Sequence, residues 1–98
     1  MTITKKAEGS KLTIAIEGRL DTMTARSLES EFRESLPGVT DLTLDLAELA
    51  YISSAGLRVI LIAIKLMKKQ GTLLVKNVNE VVMSVFDDTG FSDLMTIE

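Results

Sequence analysis

Residues 42–76, LTLDLAELAYISSAGLRVILIAIKLMKKQGTLLVK, decide the fold. Leu42, Leu44 and Leu46 alternate with Thr43 and Asp45, the period-two signature of a strand with one buried face. Leu57, Ile60, Leu61, Ile64 and Met67 then recur at helical spacing and form a broad apolar face. Ser53 and Ser54 stand where such a helix is capped, and Gly71 stands where a glycine cap ends it. Thr72 to Lys76 returns to a strand pattern. Strand, helix and strand in succession predict a right-handed crossover joining parallel neighbours of one sheet.

Toward the N-terminus, Leu12, Ile14 and Ile16 alternate with Thr13, Ala15 and Glu17, and Glu8-Gly9-Ser10 marks a turn behind Ile3-Thr4-Lys5. The chain is therefore expected to open on an antiparallel hairpin with a short edge strand. After Gly18 the period lengthens. Ala25, Leu28, Phe32 and Leu36 fall at helical spacing, opposite Arg26, Glu29, Arg33 and Glu34. Asp21 or Thr22 can cap this helix, and Pro37-Gly38 ends it. Beyond Lys76 a helix is expected from about Glu80 to Asp88 with Val82, Val85 and Phe86 inward, then a left-handed cap at Gly90 and a last strand within Leu94 to Ile97. The expected fold is α/β: one domain over residues 1–98, with a mixed, mostly parallel sheet, an antiparallel N-terminal edge strand, and helices packed on it.

Composition removes whole classes of chemistry. The 98 residues contain no histidine and no cysteine, so a Ser–His–Asp triad, a thiol nucleophile and the usual zinc ligands are all missing. No catalytic residue, metal site or cofactor is expected. The net charge of 11 − 14 = −3 comes without a basic block, which speaks against direct nucleic-acid binding. The most apolar run, Val59 to Ile64, lies between Arg58 and Lys65, far short of the ~20 residues a membrane span needs. With no apolar leader after Met1, the expectation is a cytoplasmic protein without membrane insertion.

Tyr51-Ile52-Ser53-Ser54-Ala55-Gly56-Leu57-Arg58 leads from the end of a sheet strand into the central helix, where α/β sheets place their ligands. The first backbone N–H groups of a helix lack intrahelical acceptors, and its dipole favours an anion there. A serine at this place can carry a phosphate without unfolding its host, or it can be only an N-cap worth ~1 kcal/mol. Gly56 either lets a partner's backbone approach the serine or lets the helix pack closely on its own sheet. Val59, Ile62 and Leu66 flank the core face, as an exposed strip for a partner or as a wider contact with the sheet. Asp45 lacks the acidic metal-binding cluster of a receiver domain and is expected to be structural or to orient a loop. Ser54-Ala55-Gly56 resembles half of a nucleophile elbow, but Ile52 occupies the first glycine's place and no histidine base exists. A carrier serine bearing a phosphopantetheine arm belongs to all-helical proteins, which the strand patterns oppose.

Gly18-Arg19-Leu20-Asp21, Leu42-Thr43-Leu44-Asp45-Leu46, Ile52-Ser53-Ser54-Ala55-Gly56-Leu57, Lys76-Asn77-Val78 and Thr89-Gly90-Phe91 together resemble a STAS domain of the bacterial anti-sigma factor antagonist type. The resemblance implies a partner switch. The unphosphorylated antagonist binds a serine-kinase anti-sigma factor and frees the sigma factor; the kinase phosphorylates a serine two residues before the glycine, and a serine phosphatase reverses this. Here that serine is Ser54. The best-known members carry aspartate just before it, where this chain has Ser53, the minor alternative acceptor. Asp21, Ser53, Ser54, Gly56 and Arg58 are the expected partner-binding residues, Asp21 with an alternative role as a helix cap. A STAS module that docks on a different kinase, a phosphatase or a sensory complex outside sigma control is the other function open to these residues.

Overall fold

In the computed structural model, which describes Met1–Glu98, the first strand β1 (Thr2–Glu8) turns at Gly9-Ser10 into β2 (Lys11–Leu20). Their antiparallel register runs from Thr2 opposite Glu17 to Glu8 opposite Lys11. The remaining elements are α1 (Thr22–Ser35), β3 (Asp41–Asp45), β4 (Leu49–Ile52), α2 (Ser54–Gln70), β5 (Thr72–Lys76), α3 (Glu80–Thr89), a 3₁₀ turn at Phe91–Asp93, and β6 (Thr96–Ile97). The sheet has six strands in the order β1-β2-β3-β5-β6, with β4 pairing on β2, and every pairing except β1–β2 is parallel. The α/β class, the mixed sheet and its antiparallel edge match the expectation.

The alternation in the sequence explains the layering. Leu12, Ile14 and Ile16 of β2, Leu42 and Leu44 of β3, and Val75 of β5 lie in register on one face, and all are buried. Thr13, Thr43 and Asp45 point the other way and remain half-exposed. The helices close the buried face: Ala25, Leu28 and Phe32 from α1, Leu57, Ile60, Ala63, Ile64 and Met67 from α2, and Val82 and Phe86 from α3 join one apolar cluster. Val85 is only partly buried against that cluster. Of the flanking strip on α2, Val59 is fully in the core and Leu66 packs against it, so these two widen the helix's own contact; Ile62 is half-buried.

Three local features depend on contacts beyond the local sequence pattern. The strand β4 was not foreshadowed by alternation, because its burial runs in, out, out, in over four residues. It exists because β2 is ten residues long and β3 only five, so β4 takes over beside the distal part of β2 after a register shift at Gly18/Arg19. Gly71 ends α2 as expected, its N–H donating to the Met67 carbonyl, and it does so in an extended conformation (φ 170°). Glycine is needed there because a Cβ would land on the Thr40 carbonyl, whose oxygen accepts from Thr72 N–H at 2.9 Å. The last strand is confined to Thr96–Ile97, since Phe91–Asp93 forms the 3₁₀ turn and Leu94 is exposed. The left-handed cap at Gly90 (φ 81°) is as expected.

Candidate functional site at the helix starts

Because β2, β4 and β5 run parallel, the starts of α1, α2 and α3 gather at one end of the sheet. Leu20 pairs with Ile52, and the Leu20 carbonyl accepts from Ser53 N–H at 2.9 Å, so Asp21 and Ser53 leave adjacent strands side by side. Two polar clasps hold this end together. Asp45 Oδ1 accepts from Ala47 N–H and from Asn77 Nδ2, both at 3.1 Å, which ties the β3–β4 turn to the segment after β5. Those contacts, Asn77's first, hold the Asp45 carboxyl below its ordinary pKa, and they give Asp45 the loop-orienting role expected of it. Asn79 donates from Nδ2 to the Leu49 carbonyl at 2.7 Å and caps α3 by accepting from Val82 N–H at 2.9 Å.

The two serines have different surroundings. Ser53 is the N-cap of α2 in an extended conformation, half-buried, and its Oγ accepts from Gly56 N–H at 3.2 Å. Ser54 is the first helical residue, is exposed, and its hydroxyl makes no hydrogen bond within the chain. The helix start thus has one serine engaged in capping and one facing solvent. Arg58, one turn along α2, is also exposed.

Asp21 caps α1. Its Oδ1 accepts from Met23 N–H at 3.1 Å and Thr24 N–H at 3.0 Å, while Thr24 Oγ1 accepts from Asp21 N–H at 2.8 Å and donates to the Arg19 carbonyl at 2.8 Å. The backbone hydrogen bond from Thr24 leads the contacts that keep the Asp21 carboxyl below its ordinary value, so it stays ionised near neutral pH. Asp21 therefore is the helix cap, and it also places a negative charge beside the serines.

Of the two roles open to Gly56, the structure favours packing of the helix on its own sheet over partner binding. Gly56 is buried, and a Cβ on it would lie 2.7 Å from Leu20 Cγ, 2.9 Å from the Leu20 carbonyl oxygen and 3.0 Å from Ile52 Cγ1. Its bare backbone serves the close approach of α2 to its own strands, and it presents no surface to a partner.

Sequence reading missed a set of exposed apolar side chains. Met23 is 84% exposed and Val81 62%, each at the second position of its helix, and Tyr51 is 39% exposed at the end of β4. Met1 joins them, for its Cα lies beside Gly18 near the end of β2. Only Leu94, in the segment leading into β6, stands away from this end among the large exposed hydrophobics. The available signal was that Met23 and Val81 sit off the apolar stripes of their helices. Arg19 lies over the Tyr51 ring at 4.3 Å, holding that ring at the rim. No grouping of three or more His, Cys, Asp or Glu side chains is placed to hold a metal ion, and no helix is long and apolar enough to cross a membrane.

A mixed sheet covered on one face by three helices that all begin at a serine-bearing end defines a small α/β fold class, and comparison with known proteins supplies the family. The STAS domain model matches residues 2–98. The chain is 32% identical over 99 residues to BtrV of Bordetella bronchiseptica, which bears the designation anti-sigma factor antagonist provisionally; the match covers 99% of this chain and 85% of BtrV. It is 30% identical over 93 residues to the anti-sigma-B factor antagonist of Bacillus subtilis, covering 94% of this chain and 85% of that protein. In fold it is similar to the anti-sigma factor antagonist SpoIIAA in its unphosphorylated form, with a TM-score of 0.85 at 17% identity over 99% of this chain and 88% of the other. The phosphorylated form of Bacillus SpoIIAA gives a TM-score of 0.77 at 16% identity over 99% and 91% of the two chains. The chain belongs to the STAS domain family, within its anti-sigma factor antagonist group.

Proposed function

We propose that this chain acts in the cytoplasm as one regulatory domain, an anti-sigma factor antagonist whose binding is switched by phosphorylation of Ser54. Unphosphorylated, it docks on a serine-kinase anti-sigma factor through the end of the sheet that carries Asp21, Ser53, Ser54 and Arg58, with Met23, Tyr51 and Val81 as apolar contacts. The kinase transfers a phosphoryl group to the Ser54 hydroxyl, binding is lost, and a serine phosphatase restores it. The observation that carries this reading is the contrast between the two serines: Ser54 is exposed and without a bond, whereas Ser53 Oγ is engaged by Gly56 N–H. The relatives named above, both designated anti-sigma factor antagonists, support the role.

The electrostatics supply a mechanism that leaves the fold unchanged. A phosphoserine brings about −1.5 to −2 charges near pH 7, and the helix start that carries it tolerates an anion. Inside an interface the same charge must be desolvated close to the ionised Asp21 carboxylate. A penalty of ~3 kcal/mol there weakens binding roughly a hundredfold. Titration calorimetry of Ser54→Ala and Ser54→Asp against the kinase partner tests the scheme. Ser54→Ala is expected to bind like the parent and never release, and Ser54→Asp to lose most of its affinity. Equal affinities for the two variants would overturn it.

A further inference from the structure

We propose that Arg58 is the internal counter-ion of a phosphate carried on Ser54, holding it back against the first turn of α2. The inference deepens the regulatory reading of Ser54 and rests on it. Residues four apart are neighbours on one helix face, so Ser54, the first residue of α2, and Arg58 share a side, and both are exposed. Arg58 has no carboxylate partner, since the ion pairs of the chain are Lys5 with Glu31 and Arg33 with Glu29. The first turn of α2 contains no acidic residue either. A helix start ordinarily favours a negative group; here it has a cation one turn along and no anion. Phosphorylation supplies the missing charge.

The surrounding charges turn the phosphate the same way. Asp21 caps α1 beside the serines, Glu48 lies in the β3–β4 turn with its backbone carbonyl on Gly18 N–H, and Glu80 opens α3, so acidic residues belong to three segments at this end. Of the other cations at this end, Arg19 is drawn over the Tyr51 ring and Lys76 lies near Asp45. Arg58 is the cation on the phosphate's own helix face. Pairing withdraws its guanidinium from any acidic group of a partner, so the modification removes an attractive charge from the docking surface as well as adding a repulsive one.

The test installs phosphoserine at position 54 by genetic encoding, which makes it independent of any kinase. A ³¹P NMR titration then follows the second ionisation of the phosphate, which in an unpaired phosphoserine falls near pH 6. Arg58→Gln, a replacement that keeps helix propensity, is expected to raise that midpoint by about 0.3 unit relative to the Arg58 protein. Arg58→Lys is expected to keep the midpoint low, Lys65→Gln to leave it unchanged, and about 1 M salt to abolish the difference. Equal midpoints for Arg58 and Arg58→Gln proteins at low salt overturn the pairing. Peptide mapping after treatment of the unmodified protein with kinase and ATP separately decides the Ser54 reading: phosphate at another residue defeats that reading while the pairing has still been measured.

Discussion

Removing the two hydroxyls of Ser53 and Ser54 one at a time separates capping from switching. Ser53 Oγ accepts from Gly56 N–H at 3.2 Å and holds the start of α2. Loss of such an N-cap costs about 1 kcal/mol, which in a domain of this size corresponds to a fall in Tm of about 4–8 °C. The Ser54 hydroxyl bonds to nothing in the chain, and alanine is the better helix former. Ser54→Ala should therefore leave stability within about 0.5 kcal/mol of the parent. Phosphate uptake should follow the opposite pattern: Ser53→Ala still gains one phosphate, and Ser54→Ala gains none. Thermal unfolding followed by circular dichroism reads the first quantity, and intact mass after incubation with the cognate kinase and ATP reads the second. An unchanged Tm for Ser53→Ala, or phosphate on the Ser54→Ala protein, would refute the division of labour between the two residues.

Three further outcomes are expected. Gly56→Ala gains helix propensity but drives a Cβ to 2.7 Å from Leu20 Cγ; a net destabilisation of about 1–2 kcal/mol should appear in the urea midpoint, and a stabilised protein would show that α2 is not seated this closely. Asp21 has its folded-state pKa lowered from an ordinary 3.8, so its stabilising contribution is complete above that value and disappears as pH falls through the lower, folded one. Asp21→Asn, which keeps a cap acceptor, should flatten the decline in urea midpoint below about pH 4, and an identical acid limb in both proteins would contradict this. Met23 is 84% exposed, so Met23→Asp should leave Tm within about 2 °C while weakening the kinase complex at least tenfold; undiminished binding would remove the apolar rim from the docking surface.

Most of the element order and the core were legible because they depend on local periodicity. Leu12, Ile14, Ile16, Leu42 and Leu44 declared the buried face of the sheet, and Ala25, Leu28, Phe32, Ile60 and Met67 declared the faces of α1 and α2. The start of α2 at Ser53-Ser54 was legible for the same reason, since caps are set by residues next to one another in the chain. What neighbours in sequence cannot encode is how closely distant segments approach. The pairing of β4 with the far part of β2, the filling of the space above Gly56 by Leu20 and Ile52, and the gathering of Met1, Met23, Tyr51 and Val81 at one end all arise from contacts across the sheet. The sequence by itself determined that a serine opens the central helix. Tertiary structure decided which of the two serines faces solvent, because only the packed strand end half-buries Ser53 and leaves the hydroxyl of Ser54 in water.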